Sequence, residues 1–156
     1  MESIIRNLES GSESIVVVGL GYVGLPLAVT LAKSFKVIGY DIDEGRVKQL
    51  KDKIDRTNEV EPENLKHPNL MYTADPKQIN DHSVYIVTVP TPVDNYRNPD
   101  LTAMISASKA IGAALNPNKK AMVIYESTVY PGVTEGICVQ HIERASGLKN
   151  LTHFEV

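Results

Sequence analysis

The sequence predicts an α/β protein built on a three-layer, doubly wound, mainly parallel sheet. Three observations carry that expectation. Short β-branched runs alternate with helical patterns from Ile15 onward. The runs are apolar along their length, as strands covered by helices on both faces must be. A glycine-rich turn, "GLGYVG" at 19–24, joins the first run directly to a helix-like segment.

Taken in order, residues 1–14, closing with "ESGSES", read as a flexible lead-in, in which Ile4, Ile5 and Leu8 suit a short amphipathic turn. The domain is expected over 15–156. "IVVVG" (15–19) is the first strand and 25–34 the first helix; Pro26 falls in its first turn, where no N–H bond is lost. "KVIGYD" (36–41) is the second strand and "EGRVKQLKDKI" (44–54) a more polar helix. The polar stretch 55–69 suits a loop or short helix over the sheet edge, and "NLMYT" (69–73) a short strand followed by a turn around "DPKQIN". "SVYIVTV" (83–89) and "KAMVIYES" (120–127) are the strongest later strands. Between them Asp100 caps a helix over 101–115, ended by Pro117. A last helix is expected over about 133–145, stopped by Gly147, before "THFEV" begins another extended run. Phe35, Tyr72 and Tyr85 fit as core or strand residues. The stop at Val156, inside that last run, reads as the end of a fragment cut from a longer protein.

Bulk properties narrow the functional classes. Of 156 residues, 42% are apolar and 22% charged, as in ordinary soluble domains. No apolar run is long enough to span a bilayer, and the N-terminus lacks the order of a secretory signal. A single cysteine, Cys138, excludes an internal disulfide. Together these point to the cytoplasm. A net charge of −3 without a basic block argues against nucleic acid as a partner. An anion bound here must therefore rest on backbone dipoles. His67, His82, His141 and His153 have no metal-ligand spacing with one another or with Cys138. Lys119 and Lys120 read as a solvated turn.

The glycines supply the chemistry. Where G-x-G-x-x-G follows a strand and opens a helix, the first glycine permits the tight turn and the second lets a pyrophosphate approach the backbone. The third allows close helix–strand packing. Here these are Gly19, Gly21 and Gly24, and the helix N-terminus adds unpaired N–H groups and a partial positive charge. Asp41 falls 20 residues after Gly21, at the end of the second strand. A carboxylate there accepts bonds from adenine-ribose hydroxyls and repels a 2′-phosphate, which favours NAD over NADP. Arg46 lies close by in sequence: such an arginine accepts a 2′-phosphate, contacts the adenosine end of NAD, or covers the ribose edge. The plain alternative is a tight turn beside a surface Asp; a methyltransferase shares a similar glycine turn and acidic residue.

Two further loops, "VTVPTPVD" (87–94) and "ESTVYPGVTE" (126–135), each follow a strong strand and so reach the carboxyl edge beside the glycines. Thr91, Ser127 and Thr128 offer hydroxyls there, although by residue type alone they serve turns as readily.

Taken together, "GLGYVGLPLA", "VPTPVD" and "ESTVYPGVTE", in this order and spacing, resemble the UDP-glucose/GDP-mannose 6-dehydrogenases over 15–156. The last two are most similar to the branch that oxidises UDP-N-acetylhexosamines to uronic acids for bacterial surface polysaccharides. The resemblance implies a two-step, four-electron oxidation of a sugar C6 alcohol to a carboxylate, using two NAD. It assigns cofactor binding to Gly19, Gly21, Tyr22, Val23 and Gly24, with Asp41 and Arg46 on the adenosine half. It sets Pro90, Thr91 and Ser127 along the NAD towards its nicotinamide, and Thr128 beside both cofactor and catalytic water. It also implies that the nucleophilic cysteine and the nucleotide-sugar domain lie in later motifs. Cys138 matches no such nucleophile and reads as a buried apolar residue. The chain is then expected to bind NAD without oxidising sugar, its substrate engaging through the missing C-terminal domain of a homo-oligomeric enzyme. Two alternatives are a stand-alone nucleotide-binding regulatory module and a β-hydroxyacid dehydrogenase; the latter usually lacks the paired loops.

Overall fold

The computed structural model describes residues 2–93 and 99–156. The first half runs α1 (Glu2–Glu9), β1 (Ser14–Val18), α2 (Gly24–Ala32), β2 (Lys36–Tyr40), α3 (Glu44–Lys51) and β3 (Leu70–Thr73). After a 3-10 turn (Pro76–Ile79) come β4 (Val84–Val87), α4 (Thr102–Ala114) and β5 (Ala121–Tyr125). A π-helical turn (Val133–Cys138) leads into α5 (Val139–Ser146), and β6 (Phe154–Glu155) closes the series.

The six strands form one sheet in the order β3-β2-β1-β4-β5-β6, every pair parallel. β1 is central, with Val17 opposite both Gly39 and Ile86. The chain winds outward from β1 to β3, then crosses back and winds the other way from β4. That reversal leaves a crevice at the carboxyl ends of β1 and β4, where ligands of open α/β sheets bind.

The apolar runs are explained by two cores, one on each face. Side chains alternate along a strand. Val16 and Val18 therefore join Tyr85, Ile111 and Ile142 under α4 and α5. Ile15 and Val17 join Leu25, Ala28, Val47 and Leu50 under α2 and α3. With both faces covered, no position in β1 is free to be charged. Tyr85 is fully buried, but its hydroxyl donates to the Ile79 carbonyl (2.9 Å) and accepts from the His82 N–H (3.2 Å). Burial pushes its phenol well above the usual range.

Two expectations change. Residues 1–14 are not simply a flexible lead-in: α1 occupies most of them, Leu8 is buried, and Ile4 packs on the same core as α2 and α3. Its amphipathic pattern finds an apolar partner that the local sequence does not reveal. Lys119 does sit in the expected turn, but its ammonium is not simply solvated: it pairs with the buried carboxylate of Glu13. Glu13 also accepts from Ser83 Oγ (3.1 Å) and pairs with His82 Nδ1 (2.9 Å), tying together the starts of β1, β4 and β5. Burial opposes ionisation of Glu13, yet the Lys119 and His82 bonds outweigh it and hold the carboxyl below the usual range.

Candidate functional site

At the carboxyl edge the three glycines do three different things. Gly19 has φ +97°, a left-handed conformation, and its N–H donates to the Tyr40 carbonyl at 2.8 Å. A Cβ on Gly24 would overlap the Gly19 carbonyl oxygen and Thr88 Oγ1 outright. Thr88 Oγ1 in turn donates to the carbonyls of Gly19 (2.7 Å) and Val18 (3.1 Å), locking the turn onto β4. Gly21 differs from both: a Cβ there would meet nothing within 4 Å. The glycine at that position leaves room on the open side of the turn.

Asp41 follows β2 and faces this space. Its Oδ2 accepts the Leu20 N–H at 2.8 Å and its Oδ1 the Asp43 N–H at 3.0 Å. The carboxylate is thus oriented by the glycine turn itself, and each oxygen retains acceptor capacity for a ligand.

Two adjoining cavities form a cleft across the crevice. The first, about 360 Å³, lies between the glycine turn, Asp41, Ile42 and the α4 residues Ala103, Ser106 and Ala107. The second, about 570 Å³, is lined by Tyr22, Val23, Thr91, Glu126, Ser127 and Thr128. Gly21, Arg56, Thr88, Val89 and Pro90 belong to both. Larger hollows of about 620 Å³ flank β3, away from the switch point. Volume alone therefore does not locate the site; the topology does.

The loops after β4 and β5 both lie at the carboxyl edge and touch each other. Thr91 Oγ1 donates to the Thr128 carbonyl at 2.8 Å, and Ser127 Oγ to the Val89 carbonyl at 2.7 Å. These hydroxyls brace one loop against the other while lining the second cavity. Tyr22, Val23 and Thr128 are exposed at its rim. Asp94, the last residue of "VPTPVD", lies outside the described residues.

Arg46 departs from expectation. Only 1% exposed, it lines neither cavity. Its Nε donates to the Leu20 carbonyl at 2.8 Å and its Nη2 pairs with Asp55 at 2.8 Å, from behind the glycine turn. Asp55 accepts four more bonds, from the Thr57 amide (3.0 Å) and hydroxyl (2.7 Å) and the amides of Glu59 (2.9 Å) and Val60 (3.0 Å). Burial raises the pKa of Asp55, but these bonds prevail and hold the carboxyl far below the usual carboxylate range. The cation that does face the cleft is Arg56, half-exposed and paired with Asp43 at 2.9 Å. Sequence reasoning passed over it because it stands in an aperiodic polar loop that carries no local signal.

Cys138 is fully buried beside Met104 and Val133 and lines neither cavity, and burial pushes its thiol up. Among the described residues no three His, Cys, Asp or Glu gather as metal ligands, and no helix is long and apolar enough to cross a membrane.

The parallel strand order, the graded glycine turn and the carboxylate at the end of β2 define a Rossmann-type dinucleotide-binding domain. Comparison with known proteins then gives the family. Residues 13–156 match the UDP-glucose/GDP-mannose dehydrogenase family, NAD binding domain, and the chain belongs to that family; its cofactor is NAD. It is 48% identical over 137 residues to protein CapL of Staphylococcus aureus, covering 88% of this chain and 32% of that protein. It is 49% identical over 136 residues to a UDP-N-acetyl-D-glucosamine 6-dehydrogenase of Pseudomonas aeruginosa, covering 86% and 32%. Among solved structures, a ternary complex of GDP-mannose dehydrogenase from Pseudomonas aeruginosa superposes with TM-score 0.81 at 28% identity, covering 91% of this chain and 34% of the other. A UDP-D-ManNAc dehydrogenase of Pyrococcus horikoshii gives TM-score 0.80 at 32% identity, covering 90% and 34%. The chain spans about a third of the length of these relatives.

Proposed function

We propose that this chain is the cofactor half of a cytoplasmic, homo-oligomeric enzyme that oxidises the C6 alcohol of a UDP-N-acetylhexosamine or UDP-hexose to the uronic acid, in two NAD-dependent steps, for surface polysaccharide biosynthesis. Bound NAD supplies the hydride acceptor. Gly19 and Gly24 hold the turn, and Gly21 admits the pyrophosphate to the N-terminus of α2. Asp41 accepts the hydroxyls of the adenine ribose and repels a 2′-phosphate. The first cavity takes the adenosine half. The second, with Tyr22, Val23, Pro90, Thr91, Ser127 and Thr128, takes the nicotinamide half, and Thr128 at the rim positions water. The nucleophile and the sugar-recognising groups come from outside this chain, and Cys138 is not among them.

The observation that carries this reading is the open side of Gly21 beside the oriented carboxylate of Asp41. The UDP-N-acetylhexosamine branch is supported by the names of three relatives that are 49%, 45% and 38% identical to this chain. Calorimetry of this chain with NAD and NADP tests the cofactor assignment. NAD binding with NADP at least about tenfold weaker is expected from the charge of Asp41. Equal affinity for both, or no NAD binding, overturns it. Sugar oxidation is tested by NADH release from UDP-N-acetylglucosamine. None is expected from this chain alone, and two NADH per sugar from the same chain joined to its remaining sequence.

A further inference from the structure

We propose that Arg56 is the side chain that grips the cofactor's pyrophosphate; the inference rests on the NAD reading of the cleft. A pyrophosphate brings two negative charges, whereas the glycine turn offers dipoles only, and the first turn of α2 carries no charged residue. Among the described residues, Arg56 is the one lysine or arginine lining either cavity. It also stands where they join, together with Gly21. A dinucleotide laid across both cavities puts its two nucleoside ends in the cavities and its midpoint, the pyrophosphate, at that join. The cation and the open glycine therefore meet the same group from two sides.

The local structure supports a ready but exchangeable cation. Among the described residues Arg56 is held by Asp43 alone, an ion pair whose side chains are 52% and 45% exposed. Exposed pairs of this kind contribute little, so giving up Asp43 for a phosphate is easy. Asp43 keeps its other task, accepting the Arg46 N–H at 3.1 Å as the cap of α3. The backbone beneath Arg56 is by contrast rigidly placed. Asp55, the preceding residue, is fixed by Arg46, whose Nε also holds the Leu20 carbonyl of the glycine turn. One buried guanidinium thus sets the distance between the turn and the loop that presents the exposed one. Arg46 is a positioning residue; Arg56 makes the contact.

The test is calorimetry of wild type, R56Q and R56K against NAD, ADP and adenosine, with thermal melts alongside. R56Q should bind NAD and ADP about tenfold to a hundredfold more weakly, the range of one charge-assisted bond to phosphate, while adenosine affinity is unchanged. R56K should recover part of the loss and show a steeper salt dependence than R56Q. Both variants should melt within about 2 °C of wild type, because the side chain is exposed. Undiminished NAD affinity in R56Q, with wild type binding NAD, overturns the proposal and leaves the NAD reading standing. An equal loss for adenosine also overturns it, by placing Arg56 on the nucleoside. Failure of wild type to bind NAD overturns the cleft reading and this inference together.

Discussion

Replacing Arg46 with methionine separates two roles that its residue type and its burial assign to it. The substitution keeps the length of the apolar stem and removes the guanidinium. The Leu20 carbonyl loses a 2.8 Å donor and Asp55 loses its 2.8 Å ion-pair partner, both out of contact with solvent. Breaking a buried pair from one side costs about 3–5 kcal/mol. Two features reduce that figure. Asp55 keeps its four bonds from Thr57, Glu59 and Val60. Arg46 Nη1 is buried without a partner among the described residues, so its removal returns a desolvation cost of about 1 kcal/mol. The net expectation is a loss of about 2–4 kcal/mol, or about 4–16 °C in melting temperature for a chain of this size. Urea and thermal unfolding followed by circular dichroism measure it.

The same variant has a pH signature. Asp55 has a folded pKa below its unfolded value, so its stabilisation is fully present above the ordinary carboxylate range and is lost as pH falls through the folded value. Without Arg46 the folded value rises, and the acid-unfolding midpoint should move to higher pH. NAD affinity should fall only modestly, through a looser glycine turn. Unchanged stability with a selective loss of adenosine affinity would place Arg46 on the ligand and refute the reasoning.

Four further outcomes test the site and its frame. Asp41→Ala should weaken NAD by about tenfold and narrow the preference over NADP, since an acceptor and a repelling charge both go; calorimetry showing unchanged NAD affinity counts against the ribose assignment. Gly21→Ala should leave stability within about 1 kcal/mol, because the new methyl meets no atom, yet abolish tight NAD binding by filling the ligand's space. Gly24→Ala should instead prevent normal folding, through its overlap with the Gly19 carbonyl; equal behaviour of the two variants in melts would sink the division of roles. Cys138 should resist thiol reagents in the native protein and react promptly in denaturant, as its burial requires; prompt native labelling would contradict the packing against Met104 and Val133.

Much of the fold was legible because it is written in short-range patterns. β-branched runs, a capped or glycine-stopped helix and a G-x-G-x-x-G turn each declare themselves within a few residues. The parallel order then follows from their alternation. The placement of Asp41 beside the glycine turn was legible for the same reason: its distance from the glycines is set by one strand–helix–strand unit. The two hydroxyl-bearing loops were located by the strands they follow, although the bonds that join them span 37 and 38 residues.

The two arginines show where such reading stops. Arg46 and Arg56 lie 10 positions apart, one in a helix and one in the loop after it, and neither setting distinguishes a buried strut from a cleft-facing cation. Burial separates them, because Arg46 points back to a carbonyl 26 residues earlier while Arg56 remains at the mouth of the cleft. Glu13 and Lys119 are alike in this respect, a pair created only when the starts of three strands come together. The sequence by itself determined the backbone plan, the family pattern and the glycines and carboxylate that make a dinucleotide site. Only the tertiary structure decided which charges face the cleft and which hold the frame, because a charge's partner is chosen by long-range contact and not by its neighbours in the chain.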